Sequence, residues 1–110
     1  MEGIEATNQQ FPTVHDYQFK IKRNPTKNSE KVKTDAGPIG VAVNGVPIFD
    51  PSTQGKANKT TGKRPHTLLI GELDKCGGHA GRGDDYHYHV APLCLIVQLG
   101  QDFVEVKKNR

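Results

Sequence analysis

Cys76 and Cys94, the two cysteines of the chain, flank a segment that holds three of its five histidines. The chain has 110 residues, of which 34% are hydrophobic, and it lacks tryptophan, so it can bury one modest core. A disulfide between the two cysteines would close a loop of about 18 residues and stabilise the fold by about 3 kcal/mol. The sequence therefore favours a small stapled domain, and the disulfide would indicate an oxidising compartment.

Composition limits the function classes. The 12 glycines and 7 prolines favour a loop-rich chain with few long helices. The formal net charge of +3 is too small to indicate nucleic-acid binding, and the lysine-rich stretch between residues 20 and 33 is typical of a solvated face. No stretch approaches the length of about 20 apolar residues that a membrane span needs, so we expect no transmembrane segment.

Strand patterns recur along the chain. Alternating aromatic and β-branched residues predict strands, and Asn44-Gly45 between two apolar runs is a strong hairpin signal. The segments with these patterns are 17–22, 39–49 as a hairpin, 67–73, 85–90, and two further strands within 93–106 broken near Gly100.

The resulting fold class is all-β or β-dominated. We expect an irregular N-terminal segment over residues 1–16 and a single β domain over residues 17–110. The domain is predicted to be a small antiparallel sheet fold, similar to a sandwich or a barrel, with long loops. No segment shows a convincing amphipathic helix.

The histidines carry the strongest chemical signal. Successive strand residues point to opposite faces, so His87 and His89 are expected on one side with Cβ atoms about 6 to 7 Å apart. Tyr86 and Tyr88 take the other side. The glycines before His79 free the backbone to bring a third imidazole over the same face. Three neutral imidazoles suit copper, zinc or nickel. Candidate fourth ligands are Asp74, Asp85, His66 and the Cys94 thiolate.

Other interpretations remain open at this point. In a disulfide with Cys76, Cys94 would be lost as a ligand, and the histidine strand would be only a structural element. A metal-dependent hydrolase would need a general base, for which the sequence offers Glu72, Asp74 and Asp85. The tripeptide Arg82-Gly83-Asp84 matches a cell-adhesion motif, but matches of three residues are frequent by chance.

Two stretches together resemble the YHYH domain family, which is named for the tetrapeptide present here as Tyr86-His87-Tyr88-His89. These are "GPIGVAVNGVPIF" and "GELDKCGGHAGRGDDYHYHVAPLCL", with a looser match in "YQFKI" near the start. The resemblance implies an exported or cell-envelope location and a motif role for His79, His87 and His89. It attaches no reaction to the domain and names no metal.

The chain departs from this family pattern in two places. Relatives commonly have histidine where this chain has Cys94, and they continue into a second block similar to "YALDGYPIYG" near residue 100, where this chain has "FVEVKKNR". We therefore expect an extracytoplasmic metal-binding domain that uses His79, His87 and His89, with Asp74 or Cys94 as a further ligand. A homo-oligomer through exposed strand edges is the expected route to completing the site.

Overall fold

A mixed four-stranded sheet organises the computed structural model, which describes residues 1–5, 10–34 and 37–100. The elements in these ranges are β1 (Pro38–Val41), β2 (Pro47–Phe49), β3 (Gly78–Ala80), β4 (Tyr86–Tyr88) and α1 (Leu93–Leu99). The sheet order is β1-β2-β4-β3. The prediction of a β-dominated fold with long loops is confirmed. The pairs β1/β2 and β3/β4 are antiparallel as expected, whereas β2/β4 is parallel, and the described strands form one sheet rather than a sandwich or barrel.

The first hairpin confirms the Asn-Gly signal. Gly45 has φ of 84° and closes the turn through its N–H, which donates to the Ala42 carbonyl at 2.8 Å. The Asn44 side chain accepts a hydrogen bond from the Val46 N–H at 3.2 Å and donates another to the Tyr88 hydroxyl at 3.2 Å. One asparagine therefore shapes the turn between β1 and β2 and also ties it to β4.

The second hairpin is built on close backbone approach. A Cβ added at Gly78 would lie 2.5 Å from the His87 carbonyl oxygen and 2.8 Å from the Tyr86 ring, so β3 and β4 pack as they do only because residue 78 is glycine. The turn ends at Asp84, which has φ of 54°, a left-handed conformation rare outside glycine. The glycine-rich segment is thus half strand and half turn, where the sequence predicted a turn.

The strand predicted over residues 17–22 is wrong. The structure assigns no strand within the described range 10–34, and Tyr17 and Phe19 remain 40% and 46% exposed. Their rings stack with centroids 5.3 Å apart, and the His15 ring stacks on Tyr17 at 5.6 Å. The alternation therefore produces a stack of aromatic rings, but none of the described strands pairs with its backbone.

The strand predicted over residues 67–73 is also wrong. This segment is a turn with several local backbone bonds, including those from Ile70 to His66 and from Glu72 to Thr67, while the Thr67 N–H donates to the Pro51 carbonyl and the Gly71 carbonyl accepts from the Glu5 N–H. Thr67 and Leu73 are buried at its ends, whereas Leu69 between them is 83% exposed. Local turn bonds satisfied the backbone groups that a strand would have offered to a neighbour.

The segment from residue 93 was predicted as a strand and is the helix α1. Pro92 precedes the helix and Gly100 follows it with φ of 80°, so the proline and glycine signals for a helix start and stop are both present. The short apolar run between them fits either structure. The second strand predicted within 93–106 falls mainly beyond Gly100, outside the described residues.

The core is small and partly made of histidine. Its buried apolar side chains are Phe49, Leu73, Ala80, Tyr88 and Leu95. Thr67, His87 and His89 are buried with them, and the Thr67 hydroxyl donates to the Pro51 carbonyl at 2.8 Å. No helix within the described ranges is long and apolar enough to cross a membrane.

Candidate metal centre

Three imidazoles meet on one face of the β3/β4 pair. His79 lies directly opposite His87 in the antiparallel register, and His89 follows β4 two residues after His87. The His89 Nε2 atom lies 3.1 Å from His87 Nε2 and 3.1 Å from His79 Nε2. We call these three residues the three-histidine cluster. Within the described residues it is the group of three side chains with the spacing needed to hold a metal ion.

The other ring nitrogen of each imidazole faces a backbone carbonyl. His79 Nδ1 lies 3.2 Å from the Glu72 carbonyl oxygen, and His87 Nδ1 lies 2.9 Å from that of Asp85. His89 Nδ1 bonds to the Asp50 carbonyl. A carbonyl only accepts hydrogen bonds, so each Nδ1 must carry the proton and donate it. Each neutral ring therefore presents an unprotonated Nε2 to the centre of the cluster.

Three converging lone pairs are an unfavourable arrangement unless a cation lies between them. Nitrogen atoms bound to one zinc ion at about 2.0 to 2.1 Å are about 3.0 Å apart in octahedral geometry and about 3.3 Å apart in tetrahedral geometry. The two Nε2 separations that involve His89, each 3.1 Å, fall within this interval. The ligand atoms of all three rings lie within 4.8 Å of one another, so the three imidazoles form a set that could hold one metal ion, and the Nδ1–carbonyl bonds are the kind that orient histidine ligands.

An apolar wall closes one side of the cluster. The Phe49 ring stacks on His87 with centroids 3.9 Å apart and meets His89 edge-on at 5.7 Å. His87 and His89 are only 2% and 3% exposed. Burial lowers the pKa of all three imidazoles, and each is lowered further by a neighbouring imidazole of the cluster. The rings thus favour the neutral form that metal binding requires.

A cavity of about 180 Å³ opens beside the cluster. Its wall includes the three imidazoles and the polar residues Thr53, Gln54, Glu72 and Arg82. The Glu72 carbonyl thus holds His79, and Glu72 is also an acidic residue of the cavity wall.

The other predicted ligands are engaged elsewhere. The Asp74 carboxylate accepts hydrogen bonds from the Cys76 and Gly78 N–H groups and from the Tyr86 hydroxyl at 2.8 Å. Burial raises the pKa of Tyr86, and the Asp74 carboxylate raises it further. The Asp85 carboxylate lies 3.5 Å from His87 Nδ1, on the side of the ring away from the cluster centre. These two carboxylates therefore stabilise the hairpin and orient a ring.

His66 and Cys94 also have other partners. His66 forms an isolated bridge with Ser52, and its Nδ1 accepts a hydrogen bond from the Leu68 N–H. Cys94 is bonded to Cys76 with a Cα–Cα distance of 4.9 Å, so its sulfur is not a thiolate in this structure. Of the two alternatives for Cys94, the structure has the disulfide.

The disulfide joins the site to the helix. Cys76 lies three residues before His79, and Cys94 lies in the first turn of α1. The Leu93 N–H also donates to the Cys76 carbonyl at 3.2 Å. The backbone that leads into β3 is therefore fixed at Cys76 covalently and by a hydrogen bond.

Sequence reasoning missed several residues that shape the site. Phe49 was assigned only to an apolar strand, and the carbonyls of Asp50, Glu72 and Asp85 carry no sequence signature. The parallel pairing of Ile48 with Tyr88 brings β2 beside β4, and with it both Phe49 and Asp50. Parallel pairing requires a long connection, so no local pattern could have indicated it.

Comparison with known proteins gives one match. A family model described as YHYH protein matches residues 18–107. Comparison with curated proteins and with solved structures gives no match.

Proposed function

The chain belongs to the YHYH protein family, and we propose that it is an extracytoplasmic domain that binds one transition-metal ion through His79, His87 and His89. The observation that carries the proposal is the convergence of three Nε2 atoms whose ring partners, the Nδ1 atoms, all face backbone carbonyls. A donor set of neutral imidazoles suits copper or zinc.

The proposed location follows from the disulfide. Disulfides persist in oxidising compartments and are rare where thiols are kept reduced. The bond between Cys76 and Cys94 therefore supports an exported protein or one of the cell envelope.

Elemental analysis tests the metal directly. Protein purified without added metal, and without a tag rich in histidine, should carry about one equivalent of copper or zinc, and a thiol count should find both cysteines oxidised. Replacing His87 and His89 together by alanine should abolish metal binding. His15→Ala is the matched control, because His15 is exposed and lies outside the cluster, and it should retain the metal.

A fold measurement must accompany this test because both site histidines are buried. If urea unfolding of the double variant remains cooperative and the metal is lost, the proposal stands. If the unmodified protein binds neither copper nor zinc in a titration, the cluster is a structural element of the core. The alternative is then an exported structural module stapled by its disulfide, which would assemble through the edge strands β1 and β3.

A metal-dependent hydrolase is a second candidate, supported by the position of Glu72. Of the three acidic residues considered as general bases, it is the one that lines the cavity next to the cluster. A metal ion lowers the pKa of a bound water, and Glu72 could accept the proton. Cleavage of an ester or phosphoester that is lost with a chelator and in Glu72→Gln would support this candidate. A panel with no turnover would exclude it.

A further inference from the structure

Arg82 brings a positive charge to the edge of the three-histidine cluster. A Cβ added at Gly81 would lie 2.9 Å from His87 Cε1 and 3.6 Å from His87 Nδ1, so the backbone of this turn packs against the His87 ring. Arg82 is the next residue and lines the same cavity. The hydrogen bonds from Asp84 N–H to the Gly81 carbonyl at 3.0 Å and from Thr13 N–H to the Asp84 carbonyl at 2.9 Å hold the turn in place.

The Arg82 guanidinium has no hydrogen bond or ion pair with the described part of the chain. Its five N–H donors are therefore available to a ligand in the cavity. Arginine presents two parallel N–H groups that match the oxygens of a carboxylate or a phosphate. Arg82, the first residue of the Arg82-Gly83-Asp84 tripeptide, could thus bind an anion, a role unrelated to cell adhesion.

The proposed metal adds to this positive charge. Three neutral imidazoles leave the full charge of a divalent ion uncompensated, and Phe49 covers the rings on one side. A metal ion held by the three imidazoles would face this cavity, whose wall is partly polar. Its volume of about 180 Å³ is below the range of about 300 to 1,000 Å³ typical of pockets for drug-sized ligands, so the space suits a ligand of a few heavy atoms.

We infer that the site binds a small oxyanion, a carboxylate or a phosphate, which coordinates the metal with one oxygen and accepts hydrogen bonds from Arg82 with another. This inference rests on the proposed function, because the metal supplies the first contact. The Glu72 carboxylate on the same cavity wall opposes anion binding and favours a ligand of low charge.

The test uses the full chain loaded with cobalt(II), whose visible spectrum responds to a change in coordination. Acetate and inorganic phosphate are titrated separately at constant ionic strength into the unmodified protein and into Arg82→Gln. Arg23→Gln is the matched control, because Arg23 is exposed, lies outside the cavity and removes the same charge. Cobalt affinity is measured for each variant by competition with a chelator.

We expect a saturable spectral change with at least one of the two anions, and the anion that gives it identifies the ligand class. Arg82→Gln should weaken anion binding about tenfold or more, as expected for loss of a hydrogen bond between charged groups, and leave cobalt affinity unchanged. Arg23→Gln should match the unmodified protein, and Glu72→Gln should bind the anion more tightly.

Two results would overturn the inference while leaving the proposed function intact: cobalt binds but neither anion changes its spectrum, or Arg82→Gln and Arg23→Gln bind the anion equally well. Failure of the protein to bind cobalt, zinc or copper would instead remove the proposed function and this inference with it.

Discussion

The contact between Gly78 and the His87 carbonyl makes Gly78→Ala a demanding test of how the site is built. The added Cβ would lie 2.5 Å from the carbonyl oxygen, whereas real Cβ atoms essentially never come closer than 3.0 Å. Relief therefore needs a movement of roughly 0.5 Å or more, and the obstacle is backbone rather than a flexible side chain. Gly78 has no positive φ, so the effect would come from packing alone.

The expected cost follows from two opposing terms. Overpacking of this kind costs about 1 to 3 kcal/mol, and replacing glycine by alanine returns about 0.4 to 1 kcal/mol by restricting the unfolded chain. Together the two ranges leave a net loss of about 0 to 2.6 kcal/mol, and a loss of about 1 to 3 kcal/mol relative to a glycine-to-alanine change without overpacking. The same movement separates β3 from β4, and with it His79 from His87, so affinity for zinc or copper should fall as well.

Urea unfolding of the metal-free protein and a zinc titration measure the two effects. Gly40→Ala is the matched control, because Gly40 also lies in a strand without positive φ and an added Cβ would meet nothing within 4 Å. We expect it to be neutral or slightly stabilising. If the two variants have the same free energy of unfolding and the same zinc affinity, the close packing of β3 on β4 is not what positions His79.

Three further perturbations have defined outcomes. Replacing Cys76 and Cys94 by serine should lower the free energy of unfolding by about 3 kcal/mol and weaken zinc binding, measured by urea unfolding and by titration; unchanged zinc affinity would show that the disulfide does not support the site. Because burial lowers the pKa of the three-histidine cluster, the metal-free protein should have its full stability above pH of about 6.5, the unfolded value. The free energy of unfolding should fall as pH drops from about 6.5 towards the lowered pKa values of the folded protein, since only the unfolded chain takes up protons in that range. If urea unfolding gives the same free energy throughout this range, the burial of the rings is contradicted. Tyr86→Phe should lower the free energy of unfolding by about 1.5 to 3 kcal/mol, because it removes a hydrogen bond to the Asp74 carboxylate. Differential scanning calorimetry measures this loss, and a loss near zero would show that water replaces the tyrosine hydroxyl at the carboxylate.

Local signals predicted the parts of the fold that local interactions determine. Asn44-Gly45 identified the first hairpin because its turn conformation depends on those two residues. The alternation around His87 and His89 predicted their shared face because side-chain direction in an extended chain depends only on residue parity. The flanking cysteines indicated their disulfide, which the structure contains.

The remaining features depend on contacts between distant segments. The alternation at Tyr17 and Phe19 is as regular as that of a strand, but a strand also needs a partner, and the sequence does not reveal whether one exists. His79 was expected over the cluster through a flexible turn, and its actual position comes from strand register with His87. The apolar residues after Pro92 fit either period; they formed a helix, which buries Leu95.

Main-chain atoms anchor the three imidazoles, and this affects how such a site tolerates sequence change. Every residue type has a carbonyl, so substitutions at positions 50, 72 and 85 leave the anchoring bonds available. An insertion or deletion beside one of these positions would instead move a carbonyl away from its ring. We therefore expect related chains to conserve the number of residues beside these anchors more strictly than the anchor side chains, apart from Asp85 and Glu72, whose carboxylates have the further roles described above.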